Sequence, residues 1–397
     1  MNEIIARDIK ELKFLTKEER EYLYSKSPNL NEYLIISFQE SLRNCLLEYL
    51  NTPFLISFKK SKSADRLETT FLELKLDVKS LDFNLKVKDL PSIITHGYSL
   101  LDLLLKKRNN KTKEDKIIQF TPLKKGYYFQ FPVLEEYVEF TQRTLSKYLK
   151  ISVIHGSCSD LELTPFSDLD TFLLINKATV NSKKLLVEFK SHWIDSLTYL
   201  YKFDSLQHHN HMVATEFDLD FFPYHWLPPQ VFEESTLIYG NDTLKFKLNK
   251  SDFFSSKIYF LLAQRFRDPN IKSKKYNEYS LKNDISILAL LPVLYLQNIG
   301  FNVTKKESFS HPEFLSIDHH FFYKKISKVR NQWNVTNMSD FIISRFYNFY
   351  VRKAYLKYFI SPIGTNEITR NSIIRDKFLS DLTALINTMS SNIIKRS

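Results

Sequence analysis

The order of periodicities along this 397-residue chain predicts an α+β fold, and three observations carry that expectation. Apolar residues recur at threes and fours through the first fifty positions and again from Ser251 onward, which is helical spacing. Between these regions lie short apolar runs rich in β-branched and aromatic residues, "ISVIHG" and "DTFLLI", with a patterned helix on either side. Helix, strand, turn, strand, helix, strand is a mixed α and β order.

The elements follow in sequence. "TKEEREYLYSKS" and "LNEYLIISFQESLRNCLLEYLN" read as amphipathic helices, whereas Thr69 to Leu90 alternates and predicts strands with a hairpin. The charged run Lys106 to Lys116 reads as an exposed loop or a boundary. Leu134 to Lys150 is a helix leading into the strand "ISVIHG", and a second strand opens at Asp168 and Asp170. "NSKKLLVEFKSHWIDSLTYLYKFDSL" is the next helix and "MVATEFDLDFFP" a third strand. Three regions result: an α/β N-terminal region (1–130) with no assigned role, a strand-bearing core (131–248) and a helical C-terminal region (249–397).

Composition narrows the function classes. Hydrophobic residues at 43% and aromatics at 15% are enough for buried cores. Six glycines leave little room for a glycine-rich cofactor loop, and two cysteines, Cys45 and Cys158, build neither a disulfide framework nor a zinc site. A net charge of +11 favours polyanionic or phosphorylated partners. The longest apolar stretch, Ile285 to Phe301, is short for a bilayer span and contains Pro292 and Gln297, so a buried helix is expected. The N-terminus has no signal-peptide core. The expectation is a cytoplasmic protein without a membrane partner.

The chemistry concentrates in "VIHGSCSDLELTPFSDLDTFLLI", Val153 to Ile175. Carboxylates at i and i+2 of a strand share a face, roughly 6–7 Å apart. Two like charges that close call for a cation between them, and Mg²⁺ is held by oxygen ligands with positions left for phosphates. Gly156 leaves space for close approach, and Ser157 offers a hydroxyl and an amide N–H to a phosphate. A third acid is expected from Glu216, Asp218 and Asp220, which alternate with Phe217, Leu219 and Phe221, although an exposed strand face would alternate in the same way. Cys158 reads as a small loop residue rather than a nucleophile. His208, His209 and His211 lack i, i+4 spacing and a nearby cysteine, and they read as a loop or strand-approach cluster rather than a zinc site; His319 and His320 read alike. Tyr347 to Tyr358, with Arg352, Lys353 and Lys357, reads either as a nucleic-acid surface or as a helix with an aromatic core face.

"HGSCSDLELTPFSDLDTFLLI" resembles the Gly-Ser … Ser-Asp-hydrophobic-Asp signature of the DNA polymerase beta-like nucleotidyltransferase superfamily. "DFFP", Asp220 to Pro223, is similar to the string holding the third carboxylate in some subgroups, and "STLIYGND" to a Tyr-Gly turn that often follows. The likeness spans about Ile151 to Asp242. It implies a nucleotidyltransferase-like mixed sheet core with a helical domain behind it. It also implies Asp168, Asp170 and Asp220 (Asp218 in reserve) as catalytic metal ligands for Mg²⁺ or Mn²⁺, with Gly156 and Ser157 at the nucleotide phosphates. The implied reaction moves a nucleoside monophosphate from a nucleoside triphosphate, ATP by default, to a hydroxyl of RNA, a nucleotide, a protein or a small molecule. The alternative is an inactive nucleotide- or RNA-binding module that keeps the fold. One departure stands out: the loop after Gly-Ser, basic in many relatives, carries Asp160 and Glu162 here.

Overall fold

The computed structural model describes residues 3–52, 66–67, 69–70, 74, 89–107, 114–268, 276–318, 320–334, 349–358 and 366–396. The expected hairpin between Thr69 and Leu90 lies almost wholly outside these residues, as does most of the run from Lys106 to Lys116.

The fold is α+β. Eight strands are described: β1 (Glu114–Gln119), β2 (Thr121–Pro122), β3 (Leu149–His155), β4 (Asp170–Ile175), β5 (Met212–Thr215), β6 (Phe222–Pro223), β7 (Thr236–Gly240) and β8 (Thr243–Asn249). They form a five-stranded sheet, β2-β7-β3-β4-β5, and a three-stranded sheet, β1-β8-β6. β3 and β4 are antiparallel with His155 opposite Asp170, and β5 runs parallel to β4 from Phe172↔Met212 to Ile175↔Thr215. Because β1 pairs with β8 and β2 with β7, the sheets extend upstream of residue 130.

The two-residue period of the strands sorts their side chains into two cores. Ile151, Val153, Phe172, Leu174 and Ala214 pack with Phe222, Phe232 and Phe246 between the sheets. Ile154, Leu173, Ile175 and Val213 face the other way, into a core shared with the helices. Leu186, Phe189, Trp193, Leu197 and Leu200 give the helix Lys183–Phe203 its buried stripe, spaced by threes and fours. Ser182 caps this helix by accepting from the Leu185 N–H. Asn51, at the end of the helix Leu30–Asn51, accepts from Trp193 Nε1 at 3.0 Å and from Asn210 Nδ2 at 2.6 Å. The N-terminal region therefore braces the approach to β5.

The apolar run from Ile285 is buried as expected, but it forms two helices, Glu278–Leu288 and Leu291–Asn298. Pro292 sits at the start of the second, where its missing N–H costs nothing. Phe166, 3% exposed, anchors the helical region to the loop before β4. Trp333 meets its ring edge-on at 5.0 Å, and Lys282 and Arg330 lie 4.8 and 5.3 Å from its centroid. Among the described residues no helix is long and apolar enough to cross a membrane.

Candidate active site

The site is built at the mouth of the β3–β4 hairpin. Gly156 takes φ +67°, and a Cβ there would stand 2.9 Å from Asp170 Oδ2. Glycine thus supplies both a left-handed turn and room for the carboxylate. A single 3₁₀ turn, Gly156–Cys158, follows, and three bonds hold its outgoing strand of loop. Tyr127 and Tyr128 hydroxyls donate to the Ser159 and Cys158 carbonyls at 2.9 and 3.0 Å, and Ser159 Oγ donates to the Glu234 carbonyl at 2.5 Å. Ser157 Oγ donates to Ser167 Oγ at 3.0 Å, tying the turn to the segment that presents the carboxylates.

Asp168 and Asp170 are largely enclosed, with side chains 16% and 25% exposed. His209, not a third acid, stands between them. Its Nε2 lies 3.1 Å from Asp168 Oδ2 and 3.0 Å from Asp170 Oδ1. His208 Nδ1 lies 3.4 Å from Asp168 Oδ2. The parallel β4–β5 register explains the meeting: carried two residues back from Phe172↔Met212, it sets Asn210 beside Asp170. Gln207 extends that pairing with its side chain, accepting from the Leu169 N–H and donating to the Leu169 carbonyl, both at 3.1 Å. Arg352 in turn donates to the Gln207 carbonyl at 3.0 Å.

Burial works against charge on both carboxyls, yet the His209 hydrogen bonds and charge keep Asp168 well below, and Asp170 below, the usual range. Burial likewise opposes an imidazolium at 209, but its bonds to Asp168 and Asp170 hold its pKa well above that of an ordinary histidine. His208, buried beside His209, is pushed down to about 3 and is neutral. Cys158 is buried and its thiol is raised by burial and by the charges of Asp170 and Asp168, which rules against a thiolate nucleophile; the thiol donates to the Asp168 carbonyl at 3.3 Å.

Two cations face the carboxylates from the helical region. Lys305 begins the one-turn helix Lys305–Ser308, and Arg330 lies near the end of Phe322–Asn331. Enclosure by protein lowers both pKa values, and the charges of Asp168 and Asp170 act in the opposite sense. Lys305 is nonetheless an exposed residue, so its ammonium keeps access to water. Its neighbour Lys306 binds both Glu162 carboxylate oxygens at 3.0 Å, so one of the two unexpected loop acids is already paired.

The expected third acids go elsewhere. β5 ends at Thr215, and Asp218–Phe221 is a 3₁₀ turn, so the alternation that would have aligned Glu216, Asp218 and Asp220 is lost. Asp218, fully buried, accepts from the Thr215 N–H at 2.7 Å and from Gln39 at 2.7 Å; its side chain satisfies a backbone donor at the end of the edge strand β5. Glu216 accepts from the Lys177 N–H at 2.7 Å. Asp220, half exposed, pairs with Lys247 at 2.8 Å. All three follow the end of β5 that pairs with Ile175, five residues along β4 from Asp170, or about 16 Å at strand rise. The structure therefore brings Gly156, Ser157, Asp168 and Asp170 together and leaves Asp218 and Asp220 beyond the far end of β5.

Of the histidines read as a loop cluster, His208 and His209 belong to the site and His211 to the core. His211 bonds Thr171 Oγ1 at 2.5 Å and Ser196 Oγ at 2.9 Å between Tyr137 and Trp193. Arg352 is 2% exposed and lies 3.9 Å over Tyr201, so of the two readings of its helix the packed one holds at this residue. His319 lies outside the described residues.

As a test of fit, Asp168 and Asp170 offer the oxygen ligands an Mg²⁺ site needs, but among the described residues the group close enough to share one ion is Asp168, His208 and His209, with ligand atoms within 4.8 Å of one another. That donor set mixes nitrogen with oxygen. The chain matches no known family model, curated protein or solved structure.

Proposed function

We propose that the chain is a metal-dependent nucleotidyltransferase, moving a nucleoside monophosphate from a nucleoside triphosphate, ATP by default, to a hydroxyl acceptor with release of pyrophosphate. One observation carries the reading: a Cβ on Gly156 would stand 2.9 Å from Asp170 Oδ2, so the glycine turn is fitted to a carboxylate pair on which the charges of Lys305 and Arg330 also act. Two carboxylates with cations nearby suit a metal-bound triphosphate.

Asp168 and Asp170 would hold a divalent cation, which when bound supplies charge neutralisation and eases ionisation of the acceptor hydroxyl. Gly156 keeps the approach clear, and Ser157 is positioned by Ser167 to meet a phosphate oxygen. Lys305 and Arg330 face the β- and γ-phosphates. The acceptor oxygen bonds to the α-phosphorus as the bond to the bridging oxygen of pyrophosphate breaks. The acceptor proton, made more acidic by a bound cation, leaves to solvent. The basic balance of the chain favours RNA or a nucleotide as acceptor.

A second reading is favoured by the remote Asp220 and by the His209 bridge across both carboxylates: a nucleotide- or RNA-binding module without turnover. Incubation with each α-labelled nucleoside triphosphate, Mg²⁺ or Mn²⁺ and total RNA separates the two. Transfer of label that disappears in Asp168→Ala and Asp170→Ala supports the enzyme. Saturable nucleotide binding with no label transfer and no pyrophosphate supports the module.

A further inference from the structure

We propose that Asp168, His208 and His209, completed by Asp170, form a mixed nitrogen–oxygen site that takes a transition-series divalent cation of the Mn²⁺, Co²⁺ and Zn²⁺ class in preference to Mg²⁺. The inference deepens the reading of this site as a metal centre, but it stands on binding and not on turnover.

The spacing of the donor atoms is the first ground. Ligands at 2.0–2.2 Å from one ion sit about 3.0 Å apart along an octahedral edge and about 3.4 Å along a tetrahedral one. Here the separations are 3.1 Å from His209 Nε2 to Asp168 Oδ2, 3.0 Å to Asp170 Oδ1, and 3.4 Å from His208 Nδ1 to Asp168 Oδ2. These three separations match the edge lengths of one coordination shell, and the ligand atoms of Asp168, His208 and His209 all lie within 4.8 Å of one another.

Orientation is the second. His209 Nδ1 donates to the Asn210 carbonyl at 3.0 Å, which fixes the ring with Nε2 toward the carboxylates; a metal taken at Nε2 would displace the proton shared with Asp168 and Asp170 to solvent. His208 Nδ1 is buried and has no hydrogen-bond partner. A buried, unpartnered nitrogen carries a cost that a cation removes.

An imidazolium at 209 acting only as an internal counter-ion would account for the bridge between the carboxylates. It leaves His208 unexplained, because that ring turns a second, partnerless nitrogen toward the same Asp168 oxygen. Imidazole donors suit first-row transition cations such as Zn²⁺, with Co²⁺ above Mn²⁺ in the general order of affinity, whereas Mg²⁺ keeps to oxygen. The side chains of Asp168, Asp170 and His209 keep 16%, 25% and 26% exposure, which leaves an open side for water or phosphate, as a working metal site requires.

The test uses the full chain, stripped of metal by chelator and dialysis, and three probes. Isothermal titration with Co²⁺ and with Mg²⁺ should give one Co²⁺ per chain, bound at least 100-fold more tightly than Mg²⁺. Pulsed electron-spin-echo spectra of the Mn²⁺ complex should show modulation from coordinated ¹⁴N. His208→Ala and His209→Gln should each weaken Co²⁺ at least tenfold, with circular dichroism unchanged. Equal affinity for Co²⁺ and Mg²⁺, or a Mn²⁺ spectrum free of nitrogen coupling, overturns the proposal, and the spectrum is read on the wild-type chain whether or not the variants fold. A nitrogen-coupled metal without label transfer under any ion would refute the transferase reading alone. Transfer with Mg²⁺ and no nitrogen coupling would refute the present inference alone.

Discussion

Replacing Gly156 by alanine probes the closest contact in the site, and Gly126 provides its control. Both glycines have nearly the same left-handed backbone, φ +67° and +71°. Alanine in that conformation costs about 1–2 kcal/mol at either position. A Cβ on residue 126 meets nothing within 4 Å, whereas one on residue 156 stands 2.9 Å from Asp170 Oδ2. The carboxylate has to move, and its 3.0 Å contact with His209 Nε2 is strained or lost. A hydrogen bond to a charged group contributes about 1.5–3 kcal/mol, so Gly156→Ala should cost about 2.5–5 kcal/mol in all. Urea unfolding followed by tryptophan fluorescence measures both variants, since Trp193 is fully buried beneath the sheet. The difference between them isolates the carboxylate contact, and Co²⁺ affinity should fall in Gly156→Ala but not in Gly126→Ala. Equal destabilisation of the two variants would refute the claim that glycine is there to admit Asp170.

Other outcomes follow from the same structure. Asp218→Asn should cost about 1–3 kcal/mol, because an amide placed against the Thr215 N–H leaves a buried donor unsatisfied, while Asp220→Asn should change stability by less than about 1 kcal/mol and leave label transfer intact. Phe166→Ala should cost about 3–5 kcal/mol and loosen the helical region from the carboxylates, seen as faster proteolysis and weaker nucleotide binding. Burial disfavours charge on Glu40, but the 2.9 Å bond from His225 Nε2, with Lys257 and Arg43 nearby, brings its pKa down to about 2 from 4.5. A lowered carboxyl stabilises the fold above pH 4.5 and loses that contribution as pH falls toward 2, so the stability gap between wild type and Glu40→Gln should narrow across this window in urea titrations.

The fold class and the hairpin were legible because periodicity and turn chemistry are local. "ISVIHG", closed by a glycine, and "DTFLLI", opened by an aspartate, are apolar runs with β-branched or aromatic residues, and they form β3 and β4. The third acid was misplaced because alternation alone cannot distinguish a strand from a turn that reuses its own side chains. Asp218 seals the end of β5 by accepting from Thr215, three residues back, and no spacing rule marks that capture. His208 and His209 were hidden for a different reason. Metal motifs are usually read along one helix or one turn, but this set joins the start of β4 to the approach to β5 some forty residues later. Only the parallel register and the Gln207–Leu169 pair bring them together. Lys305 and Arg330 carry no local signal at all, being ordinary cations on separate helices until the region packs on Phe166.

Exchanging a carboxylate for imidazole also changes what the acidic loop means. A centre with three carboxylates would meet an incoming triphosphate with three negative charges, and Asp160 and Glu162 would add two more. In this chain the acids lining the mouth are Asp168 and Asp170, both bonded to the His209 ring, and Glu162 is held by Lys306. The charges of Lys305 and Arg330 act on the same pair. Repulsion between a polyanion and the site falls steeply as those charges are balanced in a partly enclosed cleft, where screening by water is weaker than in bulk. An imidazole in place of a third acid and a lysine on the loop acid therefore act in one direction: both make the mouth less negative without removing the two carboxylates that a metal requires.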